Sequence, residues 1–278
     1  MIAFLRKGIG IALYFATLWL WVILLSLFVL LSLPPTLLLL GIGYFLRPFQ
    51  TEWRAFKELW IWECIRMYWF QFTIEGDDTS LILADIAANG NSGDGIPTLY
   101  AIYPHGTYAL TTMFFWALNP AWKHARGAVH SILFYIPIVN MLVGWCGMTS
   151  VTEADLVAAI EKDGRVYMCP GGIRDVANRG NNVTKRSGFL RVARQCKCRV
   201  VPIWCPDERA YYRQWLPFGK TLEGLLYFPF PIIVWGQWWC PFLPRSTPKS
   251  RIRVGKAIEY DDENGEDVFW ERLRRLQD

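Results

Sequence analysis

The chain begins with a long apolar stretch: no charged residue stands between Gly8 and Leu46. A helix needs about 20 residues to cross hydrocarbon, so this run is long for one span and slightly short for two. Pro34-Pro35 sits inside it and must break a helix, because proline lacks an N–H and its ring meets the preceding turn. Two arrangements fit. One is a single span over Ile9 to Leu33 followed by an interfacial piece. The other is a hairpin that enters the membrane, turns at the prolines and returns. Basic residues flank both ends (Arg6 and Lys7 before, Arg47, Arg54 and Lys57 after), which favours the hairpin with both ends cytosolic. The run is too long for a secretory signal and shows no small-residue cleavage site. Trp53 to Phe72, rich in Trp and Arg, predicts an amphipathic helix lying at the interface.

Beyond Glu75 the pattern changes. Glu75 to Pro97 reads as a loop with Asn89-Gly90-Asn91-Ser92-Gly93-Asp94-Gly95 as its crest. Strand-like and helix-like segments then alternate. Thr98–Ile102 predicts a strand and Thr107–Leu118 a helix; Ala128–Phe134 predicts a strand and Ile136–Val143 a short helix. Thr149–Val151 is a brief strand, and Glu153–Lys162 is a helix with Thr152 as its N-cap. Arg165–Cys169 is a strand ending at Pro170-Gly171-Gly172, Ser187–Gln195 a helix, and Arg199–Trp204 a strand. Ile252–Val254 is a late strand and Glu266–Leu276 a final amphipathic helix. This alternation predicts an α/β domain with a mostly parallel sheet flanked by helices. Three regions follow: a membrane-embedded hairpin or span over 1–46, an interfacial helix and loop over 47–97, and a catalytic domain over 98–278.

Composition sharpens this picture. Hydrophobic residues make up 53% and charged residues 19%, with 15 Trp, 12 Tyr and 17 Phe, so some surface is expected to meet lipid or a lipid substrate. The net charge of +5 favours an anionic surface only weakly, and no basic run with interleaved aromatics suggests nucleic acid. The 7 cysteines have no framework spacing, and Cys196-x-Cys198 lacks a second pair, so zinc is not expected. Reduced thiols fit a cytosol-facing domain, in which the Asn182-Val183-Thr184 sequon stays unmodified.

The candidate chemistry centres on Tyr103-Pro104-His105-Gly106, at the predicted strand-to-helix turn. Proline stiffens one side of this histidine and glycine opens the other to close approach. Histidine titrates near neutrality and is the usual general base. Only two other histidines compete: His124, in a Lys/Arg neighbourhood, reads as surface, and His130, before an apolar stretch, reads as core. No Gly-x-Ser-x-Gly elbow is present, and nothing suggests a lowered thiol pKa for Cys169.

The order Tyr103-Pro104-His105-Gly106, Pro170-Gly171-Gly172, Arg186-x-Gly188-Phe189-x-x-x-Ala193 and Val201-Pro202 resembles the type-2 diacylglycerol acyltransferase family, which includes monoacylglycerol and wax-alcohol acyltransferases. Leu243-Pro244-Arg245 and Val254-Gly255-Lys256 add to the resemblance, which covers roughly Thr98 to Ile258. The chain also departs from the pattern. Tyr103 stands where the family has a first histidine, Lys197 where it has a glycine, and Pro206-Asp207-Glu208 where it has Phe-Gly-Glu. More distantly the family resembles glycerolipid acyltransferases with a His-x-x-x-x-Asp signature; Leu110 occupies that acid's place here.

The resemblance implies a glycerolipid-acyltransferase-like fold and transfer of a fatty acyl group from coenzyme A to a lipid alcohol, most simply diacylglycerol to triacylglycerol. His105 would be the base. Asp175, three residues past the double glycine, would hold its ring. Gly106, Gly171 and Gly172 would serve the oxyanion or a phosphate, and Arg174 and Arg186 the coenzyme A phosphates. Tyr103, Pro104, Pro202 and Glu208 would shape the acceptor pocket; Glu208 is equally readable as an exposed acid. Phe189 and Ala193 share a helix face and read as packing beneath Arg186. Acyl-CoA is a cosubstrate, and no metal or bound cofactor is implied. The partners are the two substrates and membrane lipid, a homo-oligomer being left open. The implied location is the endoplasmic reticulum membrane, with the domain facing the cytosol. A monoacylglycerol, wax-alcohol or lysophospholipid acceptor, or a non-catalytic lipid-binding protein, are the alternatives.

Overall fold

Thr98–Tyr103 is a run of β-branched, aromatic and aliphatic residues, and all of it is buried. That requires neighbours on both edges and cover on both faces. The computed structural model supplies them. It describes residues 52–76, 95–118, 122–135, 139–177, 182–215, 233–239, 244–245, 250–262 and 264–278, with Pro35, Leu37, Leu38 and Gly41. The strands are β1 (Thr73–Gly76), β2 (Thr98–Tyr103), β3 (Arg126–Val129), β4 (Thr149–Ser150), β5 (Arg165–Met168), β6 (Arg199–Trp204), β7 (Arg213–Trp215), β8 (Ile233–Trp235) and β9 (Arg251–Val254). The α-helices are α1 (Arg54–Lys57), α2 (Trp60–Cys64), α3 (Leu110–Met113), α4 (Phe115–Leu118), α5 (Val139–Trp145), α6 (Glu153–Asp163), α7 (Gly188–Gln195) and α8 (Gly265–Arg275).

One sheet runs β1-β9-β6-β2-β5-β3-β4, and β7 and β8 form a separate antiparallel pair. β2 lies parallel to both β5 and β6, in register from Thr98↔Arg199 to Tyr103↔Trp204 on the β6 side. β9 is antiparallel to β6 and carries β1 parallel to itself. The fold is therefore α/β with a mostly parallel sheet flanked by helices, as the alternation predicts. β1, by contrast, lies in the stretch assigned to the interfacial region. Trp53 N–H also donates to Trp145 O at 3.1 Å, so this segment packs on the same body as the sheet.

Side chains alternate across β2. Leu99, Ala101 and Tyr103 enter one core with residues of α6, α7 and α8. Tyr100 and Ile102 enter the other with Phe115, Trp116, Trp122 and Tyr167. There Phe115 and Trp122 stack at 4.0 Å, a contact worth about 1 kcal/mol beyond area burial. The chain leaving β2 thus passes to one face, and the chain leaving the adjacent β5 passes to the other. Such a divergence opens a crevice at the carboxyl ends of the strands, where α/β sheets bind ligands.

Several predicted elements are broken. Thr107–Leu118 is not one helix but α3 and α4, preceded by Ala109 in the left-handed region with φ of +48°. Ala128–Phe134 ends as a strand at Val129, because His130 accepts from Ile132 N–H and caps a 3-10 turn over Ser131–Phe134. Trp53–Phe72 divides into α1, α2 and a π-helical turn over Ile65–Phe70, closed by Gln71 at φ of +47°. The hairpin over 1–46 and the crest from Asn89 to Asp94 lie outside the described residues, apart from the four isolated positions already named. Among the described residues no helix is long and apolar enough to cross a membrane.

Candidate active site

Tyr103, the last residue of β2, is joined to Pro104 by a cis peptide, and His105 follows at the crevice. The ring Nδ1 lies 2.8 Å from Gly106 O. A carbonyl only accepts, so Nδ1 carries the hydrogen and Nε2 of the neutral ring has its lone pair available. Burial pushes the His105 pKa below its ordinary value, against the opposing pull of the Gly106 carbonyl and the Asp175 charge. The ring is therefore a free base at neutral pH. The group holding it is a main-chain carbonyl, not the Asp175 carboxylate expected from the sequence.

Asp175 acts on the turn differently. It is fully buried in the 3-10 turn Gly172–Ala177 that follows β5. Its Oδ2 accepts from His105 N–H at 3.4 Å, and its Oδ1 accepts from Thr184 N–H. A side chain at Gly171 would place its Cβ 2.0 Å from Asp175 Oδ2, so only glycine lets the bend and the acid meet. Gly172 has φ of +58° with open space where a side chain would stand, and its N–H donates to Cys169 O at 3.1 Å. The structure thus brings His105, Asp175, Gly171 and Gly172 together at the ends of β2 and β5.

Glu208 enters from the third strand. It follows β6 and is only 3% exposed, contrary to the reading of an exposed or acceptor-facing acid. Its Oε2 accepts from Thr111 N–H at 3.0 Å and from the Thr111 hydroxyl. Gly106 packs on it closely: a Cβ there would come within 2.7 Å of Glu208 O and 2.9 Å of its Oε1. Burial pushes the Glu208 pKa up to about 7, partly offset by bonds from Thr111 and Leu110.

The remaining acceptor residues face inward. Tyr103 is fully buried, edge-on to Trp270 at 5.8 Å, in the core beneath α8. Pro104 is buried beside it. Pro202 lies inside β6 opposite Ala101 and packs under Gly255, not in an acceptor pocket. A proline in a central strand removes one ladder donor, which normally confines it to edges. The β6–β9 ladder accordingly breaks between Val254 and Ile258, and Arg272 Nη1 donates instead to Lys256 O, at 3.1 Å, and to Ala257 O.

Among the basic residues, Arg174 and Arg186 are exposed near the bend, and the Arg186 charge reaches the Tyr103 phenol. Lys185 Nζ sits 5.7 Å over the Trp270 ring, whereas Arg191 is engaged with Glu153 at 2.6 Å. Arg209 went unnoticed in the sequence. Its guanidinium donates to Asp175 O at 3.3 Å and Asn182 O at 2.7 Å, bracing the bend, and no motif announces it. Phe189 and Ala193 are core, and His124 is exposed. His130 is exposed too, a correction to the core reading. Burial raises the Cys169 thiol well above its ordinary pKa, which removes it as a nucleophile.

The arrangement offers an unprotonated imidazole nitrogen beside a glycine bend, with cationic side chains at the rim. An apolar recess lined by Trp62, Ile65, Phe70, Phe72, Leu110, Phe114 and Ala117 adjoins α3. No family model matches the sequence. Among solved structures the chain is similar to the 1-acyl-sn-glycerophosphate (LPA) acyltransferase PlsC from Thermotoga maritima, at 12% identity and a TM-score of 0.46, over 87% of this chain and 95% of that one. A likeness this distant decides nothing about the chemistry, which rests on the site's own geometry.

Proposed function

We propose that this protein transfers a fatty acyl group from coenzyme A to a lipid alcohol, with diacylglycerol as acceptor and triacylglycerol as product. The observation that carries the reading is His105: a neutral ring, its Nδ1–H fixed on Gly106 O, at the carboxyl edge of the sheet beside Gly171 and Gly172. Nε2 takes the proton of the alcohol as its oxygen attacks the thioester carbonyl. The glycine bend gives the thioester carbonyl a close approach to the main chain, although its Gly172 N–H is already given to Cys169 O. The tetrahedral intermediate then collapses, the carbon–sulfur bond breaks, and the imidazolium returns its proton to the departing thiolate. Ester and free coenzyme A leave, with no covalent enzyme intermediate.

The rim supports the same reading. Arg174 and Arg186 are exposed cations close to the bend, as binding of the coenzyme A phosphates requires. Leu59, Trp60, Ile61 and Met67 are exposed on the segment before β1, as expected where a protein meets lipid. The setting that accords with this chemistry is the cytosolic face of the endoplasmic reticulum, with acyl-CoA in water and the alcohol in the bilayer. The test is purified protein given labelled acyl-CoA and a panel of diacylglycerol, monoacylglycerol, long-chain alcohol and lysophospholipid. Labelled triacylglycerol that disappears in His105→Ala is the expected result. Label in another ester changes the acceptor, and label in none ends the proposal.

A further inference from the structure

The loop that presents His105 runs from Pro104 to Ala109 and forms no helix or strand. It ends at a non-glycine residue in the left-handed region, a conformation that persists only where the surroundings enforce it. Glu208 touches both ends of this loop. At one end Gly106 packs against its main-chain O, its Cγ and its Oε1, closely enough to exclude any side chain. At the other end its carboxylate takes the Thr111 N–H at 3.0 Å, the Thr111 hydroxyl and the Leu110 N–H, the donors of the first turn of α3. A buried carboxylate that is 3% exposed and wholly committed to donors of the base-bearing loop has no surface left for substrate.

We infer that Glu208 is a positioning residue: its ionised carboxylate clamps the Gly106 and Thr111 ends of the loop and so fixes the His105 ring. The inference rests on His105 being the base. The ionised form accepts from the Thr111 N–H, the Thr111 hydroxyl and the Leu110 N–H together, whereas the protonated acid satisfies its own hydrogen only by turning the Thr111 hydroxyl round to accept, which gives up one of these bonds. The clamp therefore loosens as pH falls through the Glu208 titration, near 7. The groups facing it do not interfere. Cys169, Cys205 and Tyr211 are raised by burial and stay neutral there. Asp207 is engaged by Arg251 N–H at 3.0 Å, and Arg209 turns to Asp175 and Asn182.

The test is Glu208→Gln in the full-length protein. The expected result is a kcat about tenfold lower, with KM for acyl-CoA and acceptor each within about threefold, and an acid limb of the pH profile moved to lower pH because one titrating group is gone. Glu208→Asp recovers part of the rate. An unchanged kcat overturns the inference, as does a raised acceptor KM alone, which would put Glu208 against substrate. Should Glu208→Gln fail to fold, Thr111→Val removes one donor and keeps the acid; it gives the same split at about threefold, and a wild-type rate overturns the clamp. The His105 ring is also titrated by NMR, which needs no turnover. Loosening admits water and raises its pKa by about half a unit or more; an unmoved titration overturns the clamp. Absence of acyl transfer in the wild type would fail the proposed function while leaving that titration decisive. Transfer that depends on His105 but not on Glu208 would fail the clamp alone.

Discussion

The turns after β2 and β5 lie side by side and are built in opposite ways. The bend after β5 closes on itself: Gly172 N–H returns to Cys169 O, and Asp175 folds back over Gly171 within the same 3-10 turn. The loop after β2 has little of its own. Its ring bonds to the next residue, and its main chain is held by Asp175, 70 positions away, while Glu208 holds Thr111 across 97 positions. Under the proposed function, a site made from one rigid local turn and one loop held from outside would fix a thioester on the first and adjust a base on the second. The base is then only as well placed as its distant supports.

That contrast can be broken experimentally. His105→Ala removes the proposed base itself, and the expected loss of acyl transfer is about a hundredfold or more at an unchanged melting temperature, read by labelled product and by thermal melt. Asp175→Ala strikes both turns at once, releasing His105 N–H and Thr184 N–H. Transfer falls about thirtyfold, and the melting temperature falls with it, because buried main-chain donors lose their acceptor. Arg186→Ala leaves both turns intact and raises KM for acyl-CoA about fivefold with kcat held, checked by steady-state kinetics. Cys169→Ala, at the foot of the bend, leaves the rate within about twofold, since the thiol is buried and protonated.

The pH dependence separates the two acid–base groups. His105 must be unprotonated to act, and its pKa lies below the ordinary 6.5, so its own limb of kcat/KM falls only below that value, beneath the Glu208 limb near 7. Glu208 acts on stability with the opposite sign. Its folded pKa of about 7 lies above the unfolded value near 4.5, so the folded state holds the extra proton between them. Stability is fullest below the lower value and declines as pH rises through the upper one, by up to about 3 kcal/mol. Thermal melts at pH 5 and 8 measure it, and the difference between wild type and Glu208→Gln isolates this residue.

How much the sequence revealed follows the same division between local and distant. β6 and α7 were legible to within a residue, because a continuous apolar run and a one-sided apolar face each carry their own signal. The glycine bend was legible for a similar reason, as punctuation after a strand. β1 was not: Thr73–Gly76 is short and largely exposed, and only its pairing with β9 makes it a strand. Glu208 misled because an acid is normally at the surface, and nothing nearby in the chain reports that Thr111 waits for it. Asp175 was found but its partner was misassigned, since a carboxylate near a histidine can reach either the ring or the main chain. Pro202 was assigned to the acceptor pocket, yet it lies inside β6 opposite Ala101, and an arginine of the last helix reaches the carbonyls across the interrupted seam.

That arginine has a practical corollary. Arg272 bridges two carbonyls at the interrupted seam between β6 and β9, and Arg253 in turn donates to Leu276 O at 2.6 Å, so α8 and this seam brace each other. Cutting the gene before Gly265 would strip the cover from Tyr103 and bare the apolar face that α8 packs on, a recipe for inclusion bodies. Shortened expression clones should keep the whole final helix.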